Sequence, residues 1–158
     1  ISCKMFSDFN RIRDYKLIVL HYGPNIANHT MTDFTWYRKK MVRVVNHLKQ
    51  CLPGTSIIVV SVNDICSRRE DGLSSAPCVA HLVDAQREVA RETGVGFWNL
   101  YEAMGGQDSM AGWVRSKRPM ASPDCTHFTI AGARNVGNMF SGALLAEYDR
   151  FKANVVEK

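Results

Sequence analysis

The run Lys16-Leu17-Ile18-Val19-Leu20-His21-Tyr22, leading directly into Gly23-Pro24-Asn25, sets the fold class. Its apolar residues are continuous and β-branched, not alternating, which is the pattern of a strand buried on both faces in a parallel sheet. A glycine just after such a strand lets backbone approach a ligand closely, and an Asn amide there can donate a hydrogen bond to a developing oxyanion. Gly, Pro and Asn are also ordinary turn residues, so taken alone the segment reads as a turn at a strand end.

The pattern repeats outward from this strand. After a polar loop through Asn28 and Thr32, a helix is expected from about Phe34 to Leu52, with Met41, Val44, Val45, Leu48 and Leu52 spaced to face a core. Pro53-Gly54 ends it. Ser56 to Val62 reads as a second buried strand and Asn63 to Pro77 as a long polar loop. A helix over about Cys78 to Thr93, stopped by Gly94, leads to a third strand from Val95 to Leu100. A short helix near Ser109 to Val114 precedes a polar loop, and the last helix starts near Thr129, an N-cap, and runs to about Phe151.

Strands alternating with helices imply a parallel sheet with right-handed crossovers and helices on both faces. Residues 1–158 read as a single α/β domain. Ligands on such sheets sit outside the carboxyl ends of the strands. His21 to Asn25, Asn63-Asp64 and Asn99 to Glu102 fall at those ends. Three buried strands make a small sheet, and one apolar edge is left open. At least one strand is therefore expected from an upstream segment or from another chain.

Composition narrows the function classes. The chain is 46% hydrophobic and 22% charged, as in a soluble globular domain. The net charge of +5 comes mainly from Arg38-Lys39-Lys40 with Arg43, Arg68-Arg69, and Arg115 to Arg118. Acidic and apolar residues separate these clusters and no nucleic-acid motif accompanies them, so they read as solvated faces and nucleic acid is not an expected partner. Five cysteines, an odd number without a CxxC pair, argue against a disulfide framework and against a zinc site. No apolar run is long enough to cross a membrane. The N-terminus has no signal peptide and lacks a starting Met, and it reads as truncated.

Chemistry is concentrated in Ser122-Pro123-Asp124-Cys125-Thr126-His127. A carboxylate three residues before an imidazole suits an Asp that orients a His, which then serves as general base for a hydroxyl nucleophile. The plainer alternative is a turn whose His caps the following helix. Cys125 lies too close to His127 on the same loop to attack a substrate with its help, and reads as a packed small residue. No serine stands at a convincing position for the pair to activate.

Strand-Gly-x-Asn early in the chain, followed by Asp-x-x-His just before the C-terminal helix, resembles the SGNH (GDSL-type) hydrolases. The resemblance spans about Tyr15 to Tyr148, and the stretch from Val95 to Gly106 is similar to secreted SGNH esterases of Bacteroides-type bacteria. It implies a flavodoxin-like three-layer α/β/α fold and a Ser-His-Asp esterase. In that family Asn25 gives its amide to the oxyanion hole, Asp124 is the third triad member and His127 is the base. The implied substrate is an O-acyl ester, above all an O-acetyl ester of a carbohydrate. No metal or organic cofactor is needed, and a secreted, periplasmic or cell-envelope location is implied.

The departures are specific. The family's Gly-Asp-Ser block and its second-block oxyanion glycine are missing. Ser7-Asp8 has no room for a preceding strand, so Ser2 and Ser7 are poor nucleophiles. Ile26 stands where the family's Gly-x-Asn-Asp block ends in Asp, and Asn63-Asp64 follows a strand without the required glycine. The chain is therefore expected to be the C-terminal portion of the domain, with the serine on a missing N-terminal segment. A non-catalytic carbohydrate-binding or interaction module, using Tyr22, Trp98 and Tyr101, is the main alternative. A nucleotide-binding domain is weaker, since no glycine-rich phosphate loop follows a strand.

Overall fold

The computed structural model describes residues 2–27, 30–70 and 72–156; Asn28 of the expected polar loop lies outside the described residues. In chain order the elements begin with α1 (Cys3–Arg13), β1 (Leu17–His21), a 3-10 turn (Pro24–Ile26), α2 (Thr35–Cys51), β2 (Ser56–Val60), β3 (Cys66–Arg69) and β4 (Gly72–Ser75). They continue with α3 (Cys78–Thr93), β5 (Gly96–Trp98), α4 (Leu100–Met104), α5 (Ser109–Arg115) and α6 (Ile130–Val156). The chain divides into two compact units, Ile1–Asn63 with Ala76–Tyr101 and Asp64–Ser75 with Glu102–Lys158. No helix among the described residues is long and apolar enough to cross a membrane.

The first unit contains the parallel sheet that the strand pattern implies, in the order β1-β2-β5. The register sets Leu20 beside Val59 and Val59 beside Phe97. Leu20, Ile57 and Val59 from the sheet join Val45 and Leu48 of α2 and Val89 and Ala90 of α3 in one core cluster. Fully burying such a side chain contributes about 1.5–3 kcal/mol, which is what fastens α2 and α3 to the strands. β1 is an edge strand, and no described strand pairs with its outer side. Leu17 and Val19 are 37% and 44% exposed there. A groove of about 500 Å³ lies beside it, lined by Phe6, Leu17, Leu20, Tyr22, Val44 and Leu48 among others.

Helix α1 was not an expected element. Lys4 and Asp8 pair at i,i+4 (2.7 Å), Arg11 also binds Asp8, and Asp14 closes the helix in a left-handed conformation. Phe6 packs against the core cluster.

The second unit holds the antiparallel hairpin β3–β4, α5 and α6. The hairpin corrects the reading of Asn63 to Pro77 as loop. Its strands are short and polar and show no alternation that a pattern search could find.

The cysteine expectation is also overturned. Cys3–Cys51 and Cys66–Cys125 are disulfides with Cα–Cα distances of 4.8 and 4.9 Å, and Cys78 is a buried free thiol. The odd count is two pairs plus one thiol. Partners 48 and 59 residues apart are brought together by the fold, which spacing alone does not reveal. Closing loops of that length stabilises by about 4 kcal/mol each in the chain-entropy picture.

Candidate active site

The loop before α6 is closed by an antiparallel bridge between Ala121 and Phe128, with Ser122 N–H donating to the His127 carbonyl at 2.8 Å. Inside it, Asp124 Oδ1 accepts the N–H groups of Thr126 (2.9 Å) and His127 (3.0 Å), while Oδ2 lies 2.8 Å from His127 Nδ1. An ionised carboxylate only accepts, so Nδ1 carries a proton, and in the neutral ring the lone pair then sits on Nε2. Within its own unit, Nε2 has no hydrogen-bond partner among the described residues. The His127 backbone N–H, its ring and the Thr126 N–H together hold the Asp124 carboxyl down at about 2. Asp124 is therefore a carboxylate set against the His127 ring, a contact that the Asp-x-x-His spacing allows.

The start of α6 is fixed as firmly. Thr129 caps the helix as expected, its Oγ1 accepting the Gly132 N–H at 3.2 Å and donating to the Pro119 carbonyl at 2.8 Å. A Cβ on Gly132 would lie 1.8 Å from the Met120 carbonyl oxygen, so only glycine lets the helix start this close. Trp113 packs against Phe128, the residue after His127, at 5.7 Å between ring centroids.

Cys125 is buried as expected, but its sulfur is bonded to Cys66, which removes it as a nucleophile. Asp64, which the sequence gives no catalytic part, is fully buried and structural. It accepts the Ser75 hydroxyl at 2.7 Å and the Met110 N–H at 2.9 Å, joining β4 to α5. Burial pushes its carboxyl above the usual Asp range, against hydrogen bonds from Met110, Ser75 and Ile65 that pull it back.

In the first unit, Asn25 is exposed on the 3-10 turn that follows β1. Gly23 before it has φ +144°, and a Cβ there would stand 3.2 Å from atoms of Gln86, Leu82 and Val62. Gln86, 1% exposed, holds this strand end. Its Nε2 donates to the Tyr22 carbonyl (2.5 Å) and to the Tyr37 hydroxyl (3.2 Å), and its Oε1 accepts the Val62 N–H (2.7 Å). The sequence reading missed Gln86. Its signal was an amide at helical spacing from Leu82 and Val89 on an otherwise apolar stripe. Tyr22 is 58% exposed, while Trp98 and Tyr101 are half-buried.

Ser7 sits on α1 and donates to the Cys51 carbonyl at 3.4 Å, a contact between helices. Among the described residues, one group has metal-ligand chemistry: Cys3 Sγ, Cys51 Sγ and His47 Nε2, within 4.8 Å of one another. The two sulfurs are bonded to each other, which leaves no thiolate to hold an ion.

No protein-family model and no curated protein sequence matches this chain. Solved structures do. A peptidoglycan O-acetylesterase is similar at TM-score 0.75 and 26% identity, over 83% of this chain and 37% of its own. The chain has the SGNH hydrolase fold. A lipase/acylhydrolase from Enterococcus faecalis is similar at TM-score 0.58 and 17% identity, over 91% of this chain and 68% of its own. A protein from Lactobacillus plantarum matches at TM-score 0.64 and 17% identity, over 84% and 68%. At 17% these two support the SGNH fold alone. The chain spans little more than a third of the length of the O-acetylesterase.

Proposed function

We propose that these residues form the C-terminal part of an SGNH-type serine esterase that removes O-acetyl groups from a carbohydrate polymer. The observation that carries this reading is the 2.8 Å contact from His127 Nδ1 to Asp124 Oδ2, which leaves Nε2 available as a base. A serine hydroxyl loses its proton to Nε2 as it attacks the ester carbonyl, and Asp124 stabilises the imidazolium. The Asn25 amide donates to the tetrahedral oxyanion. His127 then protonates the leaving sugar oxygen, and water releases acetate from the acyl-serine.

The serine is supplied by a segment outside these 158 residues. The free edge of β1 and the apolar groove beside it favour an added strand there. The likeness to a peptidoglycan O-acetylesterase favours an acetylated glycan of the cell envelope as substrate. Two disulfides suit a secreted or periplasmic setting, where oxidation persists.

The test is hydrolysis of O-acetylated peptidoglycan by the polypeptide that carries the serine, with and without His127→Ala. The variant is expected to lose about 10⁴-fold in kcat. Equal turnover in the two proteins removes His127 from the role of base.

A further inference from the structure

The side chains of Asp124 and His127 have little packing to hold them. The side chains of Asp124 and His127 are 52% and 78% exposed, and exposed pairs of this kind fix little geometry by themselves. Cys125, between them, is turned inward and bonded to Cys66. Its φ of +60° lies in the left-handed region that non-glycine residues rarely adopt. The Cys125 carbonyl also accepts the Cys66 N–H at 3.0 Å, so main chain and side chain of one residue are both tied to the start of β3. That strand is anchored in turn, since Cys66 pairs with Ser75 across the hairpin and the Ser75 hydroxyl bonds the buried Asp64.

The left-handed turn at residue 125 matters because the next two N–H groups, of Thr126 and His127, point back to Asp124 Oδ1. Relaxing that residue into an ordinary conformation swings both away and carries the imidazole with them. We propose that the Cys66–Cys125 disulfide is a positioning device that holds His127 against Asp124. Its catalytic meaning rests on the esterase reading above; the positioning itself does not. A dithiol reductant opens the bridge: the S–S bond breaks, Cys66 and Cys125 each gain a proton, and the reductant closes to a cyclic disulfide. The dyad then loosens, which makes the esterase sensitive to reduction.

The test compares two double variants, Cys66→Ala with Cys125→Ala and, as control, Cys3→Ala with Cys51→Ala. In the 158-residue chain, the His127 ring is followed by imidazole ¹⁵N–¹H NMR, which needs no activity. The first variant is expected to lose the signal of the Asp124-bonded Nδ1–H, and the control to keep it. In the polypeptide that carries the serine, the first variant is expected to lose about 10- to 100-fold in kcat with KM unchanged. If the first variant does not fold, wild-type protein is partly reduced and its opened bridges are counted by alkylation and mass. The Nδ1–H signal must then fall in step with opening of Cys66–Cys125 and not of Cys3–Cys51. An unchanged ring signal once Cys66–Cys125 is open overturns the positioning proposal, whatever the activity. A lost signal in a polypeptide with no esterase activity supports the positioning and overturns the esterase reading instead.

Discussion

The strand end bearing Asn25 and the loop bearing Asp124 and His127 are held in place by opposite means. Gly23-Pro24-Asn25 leaves β1 beside a buried amide, Gln86, that bonds Tyr22, Val62 and Tyr37 at once. Packing decides that geometry, and Gly23 meets it with φ +144°, a conformation that strains any other residue, while a Cβ there would press on side chains 3.2 Å away. The Asp124 and His127 side chains are exposed, and they rely on hydrogen bonds within their own loop and on the ties of Cys125 to Cys66, one covalent and one a backbone hydrogen bond. A base facing a substrate must keep one nitrogen open to it, which limits how far its surroundings can close in. On the esterase reading proposed above, the exposure that a base needs is offset by local hydrogen bonds and a disulfide instead of by a core.

The largest effect that sharpens this contrast is expected from Asp124→Asn in the polypeptide carrying the serine. The Asn oxygen still accepts the Thr126 and His127 N–H groups, but its NH₂ opposes the Nδ1 proton. The kcat should fall about 10⁴-fold while urea denaturation shows stability changed by less than about 0.5 kcal/mol. A large loss of stability breaks the idea of a locally held loop. Asn25→Ala comes next, with an expected loss of about 10²- to 10³-fold in kcat measured on the same substrate.

Gln86→Leu should act on the other side of the comparison. It leaves the Val62 N–H unpaired in a buried place and removes the donor to the part-buried Tyr22 carbonyl, and should lower stability by about 1–3 kcal/mol in urea while the His127 ring signal stays as in wild type. A stability unchanged by this substitution contradicts the account of the strand end.

The smallest effect concerns two carboxylates of the second unit with opposite surroundings. Asp124, held low by N–H donors, contributes stability that is full above the ordinary Asp range and is lost as pH falls through about 2. Asp64 is raised by burial, so its contribution is full at low pH and is lost as pH rises through its own, higher value. Carboxyl ¹³C titration should place Asp64 above Asp124, and the reverse order breaks the assignment of their environments.

The parts of the molecule legible in the sequence are those whose physics is local or periodic. Helix α2 and helix α3 show their apolar spacing directly, and the β-branched runs mark β1 and β2. Asp124 and His127 could be paired on paper because three residues of one loop suffice to join them. The hairpin β3–β4 was hidden because its order comes from Asp64, more than ten residues from one partner and over forty from another. Gln86 was hidden for the same reason, reaching Tyr22 across 64 residues. The disulfides needed the fold itself to bring their sulfurs together. Helix α1 is short and carries four charges among its eleven residues, and its inward contacts come from residues as unlike as Cys3, Phe6 and Ser7, so no apolar pattern marks it.

The most direct measurement of the central claim is labelling by a fluorophosphonate serine probe. The 158-residue chain is expected to stay unlabelled. A longer natural polypeptide with a Gly-Asp-Ser block is expected to react, and to stop reacting when His127 is replaced by Ala. Labelling of the 158-residue chain, or labelling of the longer one that ignores His127→Ala, contradicts the account.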